Sequence, residues 1–141
     1  EILNKASEWG VVDTLGRPDF LADDTASSYD VVRYALKQWG MADVTAVMLL
    51  QPTSPFRTAD DIDALVELHN DGKPVASFER AKVVPNGALY YAGVDFWRAR
   101  GFSFDTYASV RRYEMPAERS LDIDTPEDFA KAEARVASWS G

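Results

Sequence analysis

Apolar positions recur along the chain at helical spacing in some stretches and in short unbroken runs in others, and the alternation predicts helices interleaved with strands. Ile2, Leu3, Ala6 and Trp9 share one helical face, and Gly10 stands where that helix would stop. Val11, Val12 and Leu15 predict a short extended segment, after which Gly16 to Ser28 reads as loop. Ser27 with Asp30 three residues on is a capping-box pattern. Val31, Val32, Ala35, Leu36 and Trp39 line one face of the helix it opens, and Gly40 closes it. Val44 to Leu50 is an unbroken, mostly apolar run, the mark of a strand covered on both faces. Thr58 and Asp61 open another helix with Ile62, Leu65, Val66 and Leu68, ended by Asn70-Asp71-Gly72.

In the second half, Val75 to Phe78 and Ala88 to Ala92 predict strands on either side of Pro85-Asn86-Gly87. Val94 to Arg100 predicts one or two helical turns, and Tyr107 to Tyr113 a strand with Val110 inward. Ser120 to Asp124 reads as a further strand. Thr125 as N-cap, Pro126 at the first helical position and acids in the first turn then specify a last helix to about Trp139. Trp9, Trp39, Trp97 and Trp139 occupy positions expected to pack in cores. The fold class expected is α/β, with a mostly parallel sheet layered with helices. Without repeats, low-complexity stretches or linkers, residues 1–141 read as a single domain.

Composition narrows the chemistry. The 141 residues are 46% hydrophobic and 27% charged, enough to bury a core. With 0 Cys, a disulfide framework, a thiolate zinc site and a cysteine nucleophile are excluded. The single histidine, His69, fits a favourable cation near a helix C-terminus and argues against a Ser-His-acid hydrolase. Fifteen Lys and Arg against 23 Asp and Glu give a net charge of -8, a repulsive field for a protein that tracks nucleic-acid phosphates. No apolar run reaches the roughly 18–20 residues of a membrane span, and the expectation is a cytoplasmic protein with neither nucleic-acid nor membrane partners.

Ligands of open α/β sheets bind at the carboxyl ends of strands. The run ending at Leu50 delivers Gln51, Thr53, Ser54 and Arg57, with Pro52 and Pro55 stiffening the loop; an ordinary turn into the next helix would use the same residues. Asp122 and Asp124, two apart, would present both carboxyl groups on one surface. A shared Mg²⁺ completed by substrate phosphates would resolve their mutual repulsion, and a helix-cap role for Asp124 beside a solvated Asp122 is the other reading. Asp60, Asp61 and Asp63 suit the first turn of a helix, and Asp23 and Asp24 a loop.

Four ordered segments carry a family resemblance. They are Arg17-Pro18 with Leu21 to Ser28; Leu49-Leu50-Gln51-Pro52-Thr53-Ser54-Pro55-Phe56-Arg57-Thr58; Pro85-Asn86-Gly87-Ala88-Leu89-Tyr90; and Leu121-Asp122-Ile123-Asp124-Thr125-Pro126-Glu127-Asp128. Together they resemble the acylneuraminate cytidylyltransferases, the CMP-sialic acid synthetases and their relatives. The resemblance implies a nucleotide-diphospho-sugar transferase-like (Rossmann-like) fold and the joining of CTP to a nine-carbon acidic sugar, with release of pyrophosphate and use of Mg²⁺. It implies Asp122 and Asp124 as the catalytic, metal-binding pair, Gln51, Asn86 and Tyr90 in the sugar site, and Arg17 and Ser28 at the nucleotide. Thr53, Ser54 and Arg57 belong to the signature loop, and Phe102 or Phe104 matches an aromatic near the sugar. The family's opening strand and basic triphosphate loop have no counterpart in the chain, which therefore reads as incomplete at the N-terminus. Only Glu79 to Pro85 stands where the family has a dimerisation arm, implying a weakened homodimer. The other function consistent with these departures is a non-catalytic remnant that binds a sugar acid or a protein partner.

Overall fold

The computed structural model describes residues 2–11, 13–23, 25–40 and 43–137, which form two compact units, one ending at Asp43 and one beginning at Val44.

The first unit holds two helices, α1 (Ile2–Glu8) and α2 (Ser28–Gln38), joined by a loop containing a short 3-10 turn at Asp19–Leu21. The segment expected to be extended around Val11 to Leu15 forms no strand among the described residues, and Val12 lies outside them. Gly10 turns left-handed at φ +81°, and the Val11 N–H donates to the Ala6 carbonyl at 3.1 Å, so Val11 closes α1 instead of joining a ladder. In α2 the predicted cap is present: Ser27 Oγ accepts the Asp30 N–H at 3.1 Å and donates to its carboxylate at 2.7 Å. Val32 and Leu36 are the buried side chains of this helix.

The second unit is a four-stranded sheet with helices around it: β1 (Ala46–Leu50), α3 (Ala59–Leu68), β2 (Val75–Glu79), β3 (Leu89–Gly93), α4 (Val94–Ala99), β4 (Arg111–Met115) and α5 (Pro126–Val136). The strand order is β1-β3-β2-β4. Mixed α/β architecture is as expected, but the sheet is not mostly parallel. β3 runs antiparallel to both β1 and β2, and only β2 and β4 are parallel. The unbroken apolar run of β1 reflects partial cover on both faces rather than strand direction. On one face Met48 packs on the cluster of Leu65, Val75, Ala88, Leu89 and Met115 beneath α3. On the other, buried Trp97 of α4 donates its indole N–H to the Val47 carbonyl at 3.1 Å. The same face carries Ala76, Phe78 and Val110, with Tyr90 and Phe102 against them.

Two further expectations shift. Tyr107 to Tyr113 divides into a 3-10 turn at Tyr107–Ser109 and the start of β4, because buried Thr106 anchors the turn by accepting the Ser103 N–H at 2.9 Å. Ser120 to Asp124 forms no strand ladder; its backbone tie to the neighbouring loop is the Ile123 N–H donating to the Thr53 carbonyl at 2.9 Å. Of the tryptophans, Trp97 packs as expected, whereas Trp9 (82% exposed) and Trp39 stand past the last turns of α1 and α2 and face solvent. Trp139 lies outside the described residues, as does Asp24.

Candidate active site

The carboxyl ends of β1, β2 and β4 and the start of β3 lie along one edge of the sheet, so three connections meet there: residues 51–58, 80–88 and 116–125. Pairing of Leu50 with Leu89 brings Gln51 alongside the Asn86-Gly87-Ala88 turn. Gly87 holds φ at +86°, and a Cβ built there would lie 2.6 Å from Asp122 Oδ2 and 3.3 Å from Gln51 Oε1. Glycine is thus required twice, by backbone conformation and by the close approach of the Asp122 carboxyl group.

Each part of this junction is fixed locally. Arg57 folds back over its own loop, donating to the carbonyls of Gln51 and Ser54, both at 2.6 Å, and its burial pulls its pKa down. The signature-loop arginine therefore shapes the loop. Buried Ser54 donates its hydroxyl proton to Asp122 Oδ1 at 3.1 Å, and Thr53 contributes its backbone carbonyl. Asn86 Oδ1 accepts the Ser77 hydroxyl at 2.6 Å while its amide nitrogen donates to Ser120 Oγ at 3.0 Å. Its side chain thereby locks the turn that carries Gly87 to both β2 and the approach to Asp122. Tyr90 follows on β3; burial raises its pKa, as do Tyr107 and the charge of Asp122, so the phenol stays protonated. Its ring lies 5.0 Å from that of Phe102, while Phe104 is exposed.

Beneath the junction sits a buried electrostatic lock. Asp61, fully buried in the first turn of α3, accepts two bonds from Arg119 at 2.8 and 2.7 Å, one from the Tyr113 hydroxyl at 2.6 Å and one from the Thr58 N–H at 2.9 Å. Burial pushes this carboxyl group up, and those bonds outweigh it and hold the pKa at about 2. Arg119 directly precedes Ser120 and stands three residues before Asp122, so the lock also fixes where the 120–124 segment begins. The structural reading of Asp61 fits this geometry, and His69 is structural too, with Nδ1 against the Lys73 carbonyl at 2.7 Å and its ring 4.5 Å from Tyr91.

The junction opens on a cleft of about 350 Å³ lined by Glu79, Lys82, Val83, Val84, Pro85, Asn86, Ser120 and Asp122. Gln51, Ser54, Asn86 and Asp122 are thus gathered at one place, and Tyr90 lies within electrostatic reach of Asp122. Asp124 is exposed two residues further on. Arg17 and Ser28 belong to the first unit, Arg17 in the loop before Pro18 and Ser28 at the start of α2. Among the described residues no group of three or more His, Asp or Glu side chains could enclose a metal. Two carboxylates completed by substrate phosphates fit Mg²⁺ in donor type, and the predicted pair is of that kind. Lys82 and Glu79 on the cleft wall have no motif to announce them in the sequence. Gly87 does have one, the Pro-Asn-Gly turn, although its closeness to Asp122 depends on pairing between distant segments.

No protein-family model matches the chain. A stretch of 57 residues, 40% of the chain, is 44% identical to the N-acylneuraminate cytidylyltransferase of Escherichia coli O18:K1:H7 (strain RS218 / NMEC). The match spans 13% of that relative's length. Among the described residues no helix is long and apolar enough to cross a membrane.

Proposed function

We propose that this chain carries the sugar-acid and metal side of a cytidylyltransferase site that activates a nine-carbon acidic sugar with CTP. A sugar hydroxyl attacks the α-phosphorus of CTP, the bond to the β-phosphoryl oxygen breaks, and CMP-sugar and pyrophosphate form. The observation that supports this most is the meeting of Gln51, Ser54, Gly87 and Asp122 at one sheet edge, with the local identity to an N-acylneuraminate cytidylyltransferase behind it.

Such a transfer is mostly positioning and charge stabilisation. Asp122 and Asp124 would hold the Mg²⁺, whose chemistry when bound is neutralisation of the developing pyrophosphate charge. Ser54 fixes one oxygen of Asp122, leaving the other turned toward Gly87 and Gln51. Gln51 is assigned to the sugar hydroxyls on the family resemblance. Tyr90 offers a phenol that keeps its proton, and Asn86 holds the Gly87 turn in place from within. Arg17 and Ser28 are assigned to the cytidine nucleotide on the family resemblance.

In a protein that contains this chain together with a triphosphate-binding loop, the test is CMP-sugar and pyrophosphate formation from CTP, Mg²⁺ and N-acetylneuraminate or another nine-carbon acidic sugar. Turnover is expected, and Asp122→Asn should lower it on the order of 10²-fold with an unchanged near-UV circular dichroism spectrum. A folded protein that forms no product with any such sugar overturns the reading as an enzyme. If it still binds the sugar acid, it is a non-catalytic module.

A further inference from the structure

Lys82 is the cation on the wall of the 350 Å³ cleft, and the two other ionisable side chains there, Glu79 and Asp122, are acids. Among the charged groups of the lining, an anionic ligand entering this cleft meets like charge at Glu79 and Asp122 and opposite charge at Lys82 alone. Among the described residues the Lys82 ammonium has no carboxylate or hydrogen-bond partner, so its charge is not spent within the protein. Exposed Val83 and Val84 follow it on the same wall and lower the polarity around an ion pair formed there, which strengthens it.

The turn that carries Lys82 is built to hold a strained shape. Ala81 sits at φ +64°, a left-handed conformation that a residue with a Cβ adopts at a cost, and it is the one non-glycine residue to do so among those described. Two bonds hold the next residue: the Lys82 N–H donates to the Glu79 carbonyl at 3.1 Å, and Arg112 Nη2 donates to the Lys82 carbonyl at 2.7 Å. Arg112 is held in turn over the Phe78 ring, its guanidinium carbon 3.8 Å from the centroid. β4 thus reaches across β2 to clamp the backbone of the lysine.

We propose that Lys82 is the specificity-determining residue that recognises the carboxylate of the acidic substrate in this cleft, and that Arg112 is a positioning residue that fixes the turn presenting it. The proposal rests on the sugar-acid reading above and deepens it by naming which group selects acid over neutral sugar.

The experiment titrates the 141-residue chain with N-acetylneuraminate and with its methyl ester, which keeps the sugar and removes the charge, following the backbone amide resonances of Asn86, Gly87 and Ser120. Both ligands are expected to shift those resonances in the wild type, with the acid bound more tightly. Lys82→Gln should weaken the acid about five- to tenfold and leave the ester unchanged, and Lys82→Glu should reverse the preference. Arg112→Met should lower the acid-to-ester ratio by a similar factor, a readout that a merely structural role would not move. If both ligands shift the resonances but the acid-to-ester ratio is the same in wild type and Lys82→Gln, the assignment of Lys82 is overturned while the sugar site stands. If neither ligand shifts them in the wild type, the functional reading falls, and the assignment of Lys82 with it.

Discussion

Gly87 is the residue on which the junction depends most directly. Alanine there would put a methyl carbon 2.6 Å from Asp122 Oδ2 in a backbone conformation that disfavours side chains. Gly87→Ala is expected to destabilise the fold by about 1–3 kcal/mol and displace Asp122, measured as a lower urea midpoint together with weaker sugar-acid binding. Asp61 supplies a second test. Its pKa in the folded protein, about 2, lies below the ordinary carboxylate value of 3.8, so its contribution is complete above about pH 4 and is lost as pH falls toward 2. Thermal unfolding followed between pH 5 and 2 should show a steep loss of stability, and Asp61→Asn should flatten that slope. Removing the side chain with Asp61→Ala leaves partly exposed Arg119 and the Tyr113 hydroxyl without their buried acceptor and should cost about 1–3 kcal/mol. Residue types at the junction were legible because the Gln-x-x-Ser and Asp-x-Asp patterns are compact in sequence. Contacts between them were not: Ser54 and Asp122 are 68 positions apart, and nothing local says that one hydroxyl will meet one carboxyl group.

Elements whose boundaries are set by neighbouring residues were read correctly. α2, α3 and α5 begin at Ser27, Thr58 and Thr125, each a cap that accepts or exchanges hydrogen bonds within its own first turn. Thr125→Ala should lower stability by about 1 kcal/mol, visible in the urea midpoint, and should loosen the end of the Asp122–Asp124 segment that leads into α5. Strand direction was misread for β1 because the signal available, an apolar run, reports cover on both faces and not the orientation of the neighbour. Segment 120–124 was misread for a related reason. Alternation of apolar and acidic residues there matches a strand, yet a strand needs a ladder, and this segment has one backbone bond to the 51–55 loop with side chains supplying the rest.

For the whole molecule, the division at Asp43 yields a test of autonomy. The sheet, its two layers of packing and every residue of the cleft belong to the second unit. A chain of residues 44–141 should therefore fold alone and keep the near-UV signal of buried Trp97, with Gly87 and Ser120 amide resonances matching those of the full chain. Disordered resonances for those residues would show that the first unit is needed for the junction to form. The charge balance was legible from composition alone, and so was the presence of a core. Which sheet edge collects the loops was not, since it follows from the β1-β3-β2-β4 order, in which sequence neighbours β1 and β2 are separated by the later β3.

That order also governs the tempo at which the protein becomes competent. The parallel pair β2 and β4 joins Val75 to Arg111 across 36 residues, and it must close before Arg112 can reach Lys82 or Arg119 can reach Asp61. Chain closure over such spans is slow compared with the formation of capped helices. After dilution from denaturant, helical ellipticity should recover first and the Gly87 and Ser120 amide resonances of the closed junction last, leaving a transient population that is largely structured yet has no formed cleft.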